Sequence, residues 1–368
     1  MATIKFLKAE AGKQAVQGTP ATPDFMLPMV GEYEDAQIEV AAEWDSGTWS
    51  GMEIVEQAAK LARFTLRGHG FFELLPVFLS AGFNDQLTAS DSAPYAYTDL
   101  LTPGAAGVPR PYTMRFGALG QNIGGTGPTV QIPDAYLESV TLTGNINSAD
   151  ITVESQWFGS EVDDNSGAGY AFAGAALPSP LGMMKTLLGA ISLQDAGATG
   201  GDFGSLTGLT GVLLDWVLTI RTGLSPQWSA DSNQLTFTGV RIQTPTITFA
   251  PTLRTNATTY AATRTKYEAR TYQELQITLT GGLSRQAVLR ATGRWTSVPT
   301  PRRREDGELV ISPTFTAETP ETQTKTPHIF GWTIDTRWSH GDGDYLAQEG
   351  GAGAVLQENG ALIRILGT

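Results

Sequence analysis

The chain has 368 residues, 41% of them hydrophobic and only 17% charged, with 42 glycines, no cysteine and a net charge of −13. That length suits two domains of roughly 150 residues each. The missing cysteines exclude disulfides, thiolate metal sites and a cysteine nucleophile, and the acidity argues against a surface that grips phosphate. The charge is uneven: residues 1–200 carry 9 Lys/Arg and 22 Asp/Glu, whereas residues 201–368 carry 15 of each. Ten basic residues fall between Arg254 and Arg304, against Glu268 and Glu274.

Residues 1–30 read as a Gly/Pro/Ala-rich arm with too little apolar periodicity to fold alone, and no segment has the length of a signal peptide or a membrane span. Period-2 patterns follow. Ile38, Val40, Ala42 and Trp44 alternate with Glu39, Ala41 and Glu43. Ala62, Phe64 and Leu66 alternate with Arg63, Thr65 and Arg67. Similar patterns recur around Ile151–Trp157, Leu214–Ile220, Leu275–Leu279 and Phe330–Trp338. One apolar face and one wet face is the pattern of antiparallel sheets. Phe71, Leu74, Leu75, Phe78 and Leu79 break the rule with helical spacing. Gly82 supplies a stop, and Pro76 requires the helix to be short. A polar helix is expected over Thr258–Arg270.

An internal repeat is the most informative feature. Tyr136-Leu-Glu-Ser-Val-Thr-Leu-Thr-Gly144 reappears as Tyr272-Gln-Glu-Leu-Gln-Ile-Thr-Leu-Thr-Gly281, the closing five residues at a shift of 137. Each copy is followed by a segment ending in Trp157 or Trp295, so each reads as a long β-hairpin. The spacing is one domain length and suggests tandem duplication. The expected fold is mainly β: two tandem β-sandwich or barrel domains with long hairpins and a short flanking helix. The boundaries are an arm at 1–30, a first domain at 31–165, a linker at 166–178, and a second domain with extra C-terminal strands at 179–368. The stretches Gln86–Pro111 and Thr296–His328 are long for internal loops.

No constellation rises to an enzyme. His69, His328 and His340 lack an accompanying Gly-x-Ser-x-Gly elbow. His340-Gly-Asp-Gly-Asp344 with Glu349 lacks the spacing of an EF-hand loop. The glycine run Gly117–Gly127 has no Lys-Ser/Thr for a phosphate loop. Glu161, Asp163 and Asp164 read as solvated, and Trp216, Trp295 and Trp332 as core. Arg302, Arg303 and Arg304 are followed by Glu305, Asp306 and Glu308, which favours a solvated cluster or an inter-subunit salt bridge over nucleic acid. No cofactor and no metal are expected.

Several stretches carry a resemblance. They are Glu10…Gly18-Thr-Pro-Ala-Thr-Pro23, the helix Phe71–Gly82, the hairpin Tyr136–Phe158, Asp215-Trp-Val-Leu-Thr-Ile-Arg-Thr-Gly223, Leu235-Thr-Phe-Thr-Gly239 and Tyr267–Gly281. Scattered over most of residues 1–295, they resemble the major tail tube proteins of long, non-contractile-tailed bacteriophages. The resemblance implies subunits that stack as rings, with hairpins of neighbouring domains merging into a barrel around a channel that conducts DNA. Duplicated members of that family form trimeric rings with pseudo-sixfold symmetry, so the resemblance implies a trimer; the alternative is a hexamer whose second domain decorates the outside. Other tail proteins would be further partners, the virion tail the location, and no membrane would be involved.

On this reading Glu138, Glu154 and Glu274 are candidate lumen-facing acids that keep DNA from sticking. Arg290 and Arg294 are candidates for contacts with acids of a neighbouring hairpin, and Arg302, Arg303 and Arg304 for contacts between subunits. Two other classes compete: another virion β-protein, such as a distal tail, adhesin or decoration component, and a carbohydrate-binding or hydrolytic module.

Overall fold

The computed structural model describes residues 4–6, 8–44, 52–83, 95–101, 109–117, 129–145, 148–165, 169–172, 181–186, 189–195, 207–208, 212–229, 235–304, 307–318, 330–336, 355–358 and 361–364. Most of the boundary region 165–178, of the loop Gln86–Pro111 and of the glycine run, residues 319–328 of the second long loop, and His340 with its acidic neighbours lie outside the described residues.

The fold is mainly β, with two short helices. Three short strands open it: β1 (Ile4–Phe6), β2 (Lys8–Lys13) and β3 (Phe25–Leu27). Two long strands follow, β4 (Val30–Trp44) and β5 (Met52–His69). A 3-10 turn, Phe72–Leu74, leads into α1 (Leu75–Gly82), with Pro76 in the first turn, where its missing N–H costs nothing. Next come β6 (Tyr95–Leu101), β7 (Tyr112–Gly117), and the first repeat hairpin, β8 (Val130–Asn145) and β9 (Ser148–Gly159).

The second half contributes β10 (Gly189–Asp195), β11 (Thr207–Gly208), β12 (Leu213–Arg221), β13 (Leu224–Gln227), β14 (Gly239–Ile242) and β15 (Thr246–Arg254). Helix α2 (Ala257–Glu268) precedes the second repeat hairpin, β16 (Gln273–Thr280) and β17 (Gln286–Ser297). The chain closes with β18 (Arg302–Arg303), β19 (Leu309–Ile311), β20 (Thr314–Ala317), β21 (Phe330–Thr336), β22 (Val355–Glu358) and β23 (Ala361–Arg364).

All strands except the pairs β13–β14 and β22–β23 belong to one antiparallel sheet. Its central path runs β4-β5-β9-β8-β12-β15-β20-β17-β16-β10. The two halves meet directly, strand to strand, where Asp215–Arg221 of β12 pairs with Ser139–Asn145 of β8. One apolar cluster extends from Ala9 and Phe25 through Trp157 and Trp216 to Leu289, Trp295 and Phe315. Sequence alternation explains this. At one level across the strands stand Leu66, Ser155, Val140, Ile220 and Ile247, all buried.

Two segments are seated more deeply than their sequences suggest. Residues 1–30 are not a free arm: β2 pairs with β3 and β7, and Ala9, Ala11, Phe25, Leu27 and Met29 are buried in the main cluster. Small and widely spaced apolar residues conceal this in the sequence, because β2 is held by pairing with β3 and with the distant β7. The exposed part is the turn around Val16–Pro20, which is tied down by hydrogen bonds. Gln14 N donates to Pro111 O (2.9 Å), Gly18 N to Asp134 Oδ1 (2.7 Å) and Ala21 N to Thr113 Oγ1 (2.8 Å). Burial raises the Asp134 carboxyl above the usual carboxylate range. Helix α1, the expected short helix beside the sheet, is also enclosed: every residue from Leu75 to Gly82 is buried.

Candidate functional site: the polar face of the sheet

Because cross-strand neighbours in register share a face, the opposite side of the sheet can be read off the pairing. One residue away from the buried row stand Val30, Arg67, Glu154, Thr141, Thr219, Thr248, Thr316 and Arg294, on strands β4, β5, β9, β8, β12, β15, β20 and β17. None of them is buried. The row is threonine-rich across the junction between the halves, where Thr141 Oγ1 lies 3.4 Å from Thr219 Oγ1.

The first half supplies the charges, and they are paired. Arg67 Nε donates to Glu154 Oε2 (3.0 Å), and its Nη1 lies 3.9 Å from Glu32. Arg63 Nη1 lies 3.6 Å from Glu138 Oε2. The bond to Glu154, followed by that carboxylate's charge, raises the Arg67 guanidinium pKa. His69 Nδ1 is 3.8 Å from Asp150 Oδ2 at the end of the same face. Two depressions run along it. One of about 240 Å³ is lined by Glu34, Arg63, Glu138 and Gln156 among others. The other, of about 740 Å³, is lined by Arg67, His69, Thr141, Thr143, Thr152 and Glu154 among others.

One end of the face is covered. The β13–β14 pair lays Leu224 and Phe237 onto Leu61, Tyr136 and Phe158 in a second apolar cluster. Tyr136 and Phe158 stack at 5.8 Å, and Phe237 meets Phe158 edge-on at 5.7 Å. Desolvation there raises the Tyr136 hydroxyl pKa strongly.

The predicted residues divide. Glu138 and Glu154 lie on this polar face, each beside an arginine. Glu274, the repeat counterpart of Glu138, is buried and accepts a hydrogen bond from Gln194 Nε2 on β10. Within the protomer it therefore does not face an open surface. The physical reason is β10, which pairs along β16 from Leu279 to Gln273 and covers that flank. Arg290 Nε donates to Gln276 Oε1 (2.9 Å), and Arg294 pairs with Glu318 of the same chain (2.8 Å) while lying 5.8 Å from the Tyr272 ring centroid. Arg302 and Arg303 are exposed on β18, and Arg304 N donates to Glu308 O (2.9 Å).

Of the other candidates, Glu161 is not simply solvated but pairs with Lys60 (2.7 Å). Asp163 accepts from the Tyr170 hydroxyl, whose pKa desolvation and that bond push up to about 12. Trp216 and Trp295 are buried in the core, as read from the sequence. Among the described residues no group of three or more His, Cys, Asp or Glu could hold a metal ion, and no helix is long and apolar enough to cross a membrane.

Sequence reasoning missed Arg63, Arg67 and Glu32 as partners of the two acids. The alternation of Arg63, Thr65 and Arg67 with Ala62, Phe64 and Leu66 was the available signal; the strand β9 that brings Glu154 alongside was not. Compared with known proteins, the chain matches no protein-family model and no curated protein.

Proposed function

We propose that this protein is a structural subunit of a bacteriophage tail tube, stacking as rings around a channel through which DNA passes, with no catalytic role. The observation that carries the reading is the charge-paired, threonine-rich face that crosses the junction between the halves, backed by a buried apolar face. A phosphate approaching Arg67 must compete with Glu154 at 3.0 Å and Glu32 at 3.9 Å. A wall of this kind is wet but offers few net cations, and each missing phosphate contact lowers affinity for nucleic acid.

The join between halves supports self-association. Strand β12 of the second half pairs along the edge of β8, the kind of strand addition that a second copy would repeat. A further copy added at the outer edge of β4, paired by β1 only at Gly31–Tyr33, continues the same construction. Closing such an array removes exposed edges that otherwise invite aggregation. In this reading the two halves are tandem tube domains, each with a helix ahead of its hairpin, and the ring is a trimer. The subunit resides in the virion tail and meets other tail proteins at the tube ends.

Negative-stain microscopy of the concentrated protein and of the native particle tests the proposal. Rings with three equivalent subunits, stacked as tubes, are expected, with many tens of copies per particle on a stained gel. Monomers under every condition, together with a particle tube made of another protein, overturn it. Six equivalent subunits overturn the trimer alone.

A further inference from the structure

The β4–β5 pair outruns the rest of the sheet. Beyond Tyr33 on β4 and Ala62 on β5, no third strand pairs with either among the described residues. The last tie is Lys60 N, which donates to Leu235 O (2.9 Å). From Glu39 opposite Gln57 to Trp44 opposite Met52 the two strands continue as a ribbon, about 20 Å long at roughly 3.4 Å per residue.

Its sequence is one-sided. Between Glu34 and Glu56 stand Glu34, Asp35, Glu39, Glu43, Asp45, Glu53 and Glu56, with no Lys or Arg. The register sets Glu43 directly opposite Glu53. Like charges placed across a strand pair are destabilising, and a two-stranded ribbon is marginal by itself. Such an element gains most from a cationic surface.

The chain carries one. Arg302 and Arg303 form β18, paired among the described residues only with β19, and both are exposed. Other cations nearby are taken: Arg254 pairs with Glu308 (3.1 Å), and Arg264 with Glu268 (2.6 Å). Among the described residues Arg302 and Arg303 form no ion pair.

We propose that the acidic β4–β5 ribbon of one copy docks on the Arg302–Arg303 edge of a second copy of this chain. Two different surfaces meet, and where the docking is not reciprocal the contact runs head-to-tail and propagates into a ring or a filament. The proposal deepens the tube reading and rests on its claim of self-association, while naming the surfaces involved.

The absence of native cysteine makes disulfide trapping clean. Full-length Glu43→Cys carrying an affinity tag is mixed with untagged Arg303→Cys under oxidising conditions, at low salt and at about 0.5 M salt, where the Debye length is a few ångströms. A mixed tagged–untagged disulfide that forms at low salt and fades at high salt is expected. In cysteine-free protein, Arg302→Glu with Arg303→Glu lowers association at least about tenfold, and adding Glu43→Lys with Glu53→Lys restores it. Tubes without the mixed disulfide overturn the contact and leave the tube reading standing. The mixed disulfide without rings or tubes leaves the contact standing and overturns the tube. Charge-reversed protein that is folded by circular dichroism and still associates like wild type overturns the contact as well.

Discussion

The two repeat hairpins, β8–β9 and β16–β17, begin from nearly the same residues and end in different places. Locally they agree. Each turns after its Thr-Leu-Thr, and each places a tryptophan of the second strand in the core. In each the repeat glycine lies where an added Cβ would strike an aromatic ring brought from elsewhere, Trp216 for Gly144 and Phe72 for Gly281. Globally they differ. The first hairpin sits inside the sheet, flanked by β5 and β12. The second is flanked by β10, and by β20 and β21 at opposite ends of β17. Following the antiparallel pairings from β8 through β12, β15 and β20 to β17 shows that β16 runs opposite to β8. A short repeat thus specifies a hairpin and its buried face, while the neighbours decide which side chains remain wet.

The largest expected effect separates the supports of the two hairpins. Deleting residues 1–30 removes β2 from β7, which itself pairs with β8, and strips Phe25, Leu27 and Met29 from the core. Each buried side chain of that kind is worth about 2–5 kcal/mol, so the sum is comparable to the whole stability of a typical domain. The deletion is expected to abolish cooperative unfolding, read by circular dichroism against urea. A folded, cooperative deletion product would show that the first hairpin does not depend on β2 and β3.

The second hairpin has its own anchor. At its tip Arg285 Nε donates to Glu73 Oε1 (2.6 Å), with both side chains almost fully buried, and Gly182 N donates to Glu73 Oε2 (2.8 Å). The bond joins residues 212 positions apart and fixes the tip to the 3-10 turn before α1. Arg285→Ala leaves the Glu73 charge buried without its counter-ion, a loss of about 3–5 kcal/mol. Replacing both by apolar residues of similar volume is expected to recover most of it. A loss under about 1 kcal/mol for the single variant would mean that the pair does not hold the tip.

The tryptophans sharpen the comparison. Trp157 stacks on Phe64 at 5.7 Å and meets Phe78 and Tyr112 edge-on, whereas among the described residues Trp295 has the single aromatic neighbour Phe315 at 5.7 Å. Aromatic pairs add about 0.5–1.5 kcal/mol each beyond area. Trp157→Ala is therefore expected to cost about 4–5 kcal/mol and Trp295→Ala about 3 kcal/mol, by urea denaturation. Equal losses would remove the distinction.

What was legible in the sequence was local. Period-2 alternation marked β5, β9, β12 and β16, and the repeat marked both hairpins, because a half-buried strand writes its own pattern. Helix α1 was visible from spacing, but its full burial was not, since the β8 residues that cover it are far away in sequence. The same limit hid the seating of β2 and β3. At the polar face, Glu138 and Glu154 could be picked out as wet-face acids. Their neutralisation by Arg63 and Arg67 depends on strand order, which alternation does not encode.

The acids themselves give the smallest and most specific test of how far the repeat carries. Glu138 and Glu274 share the third position of the Tyr-x-Glu motif. Glu138 is partly exposed and 3.6 Å from the half-exposed Arg63, a geometry that solvent screens, so Glu138→Gln is expected to change stability by under about 0.5 kcal/mol. Glu274 is 1% exposed and accepts from Gln194 on β10. Exchanging its carboxylate for an amide replaces one acceptor oxygen by an NH2 donor, which meets the Gln194 donor, and the misfit in a buried site costs about 1–3 kcal/mol. Gln194→Glu in the Glu274→Gln background reverses donor and acceptor and is expected to return part of that loss. If both single variants behave alike in urea denaturation, the neighbour strand β10 does not set the environment of the second hairpin, and the motif alone does.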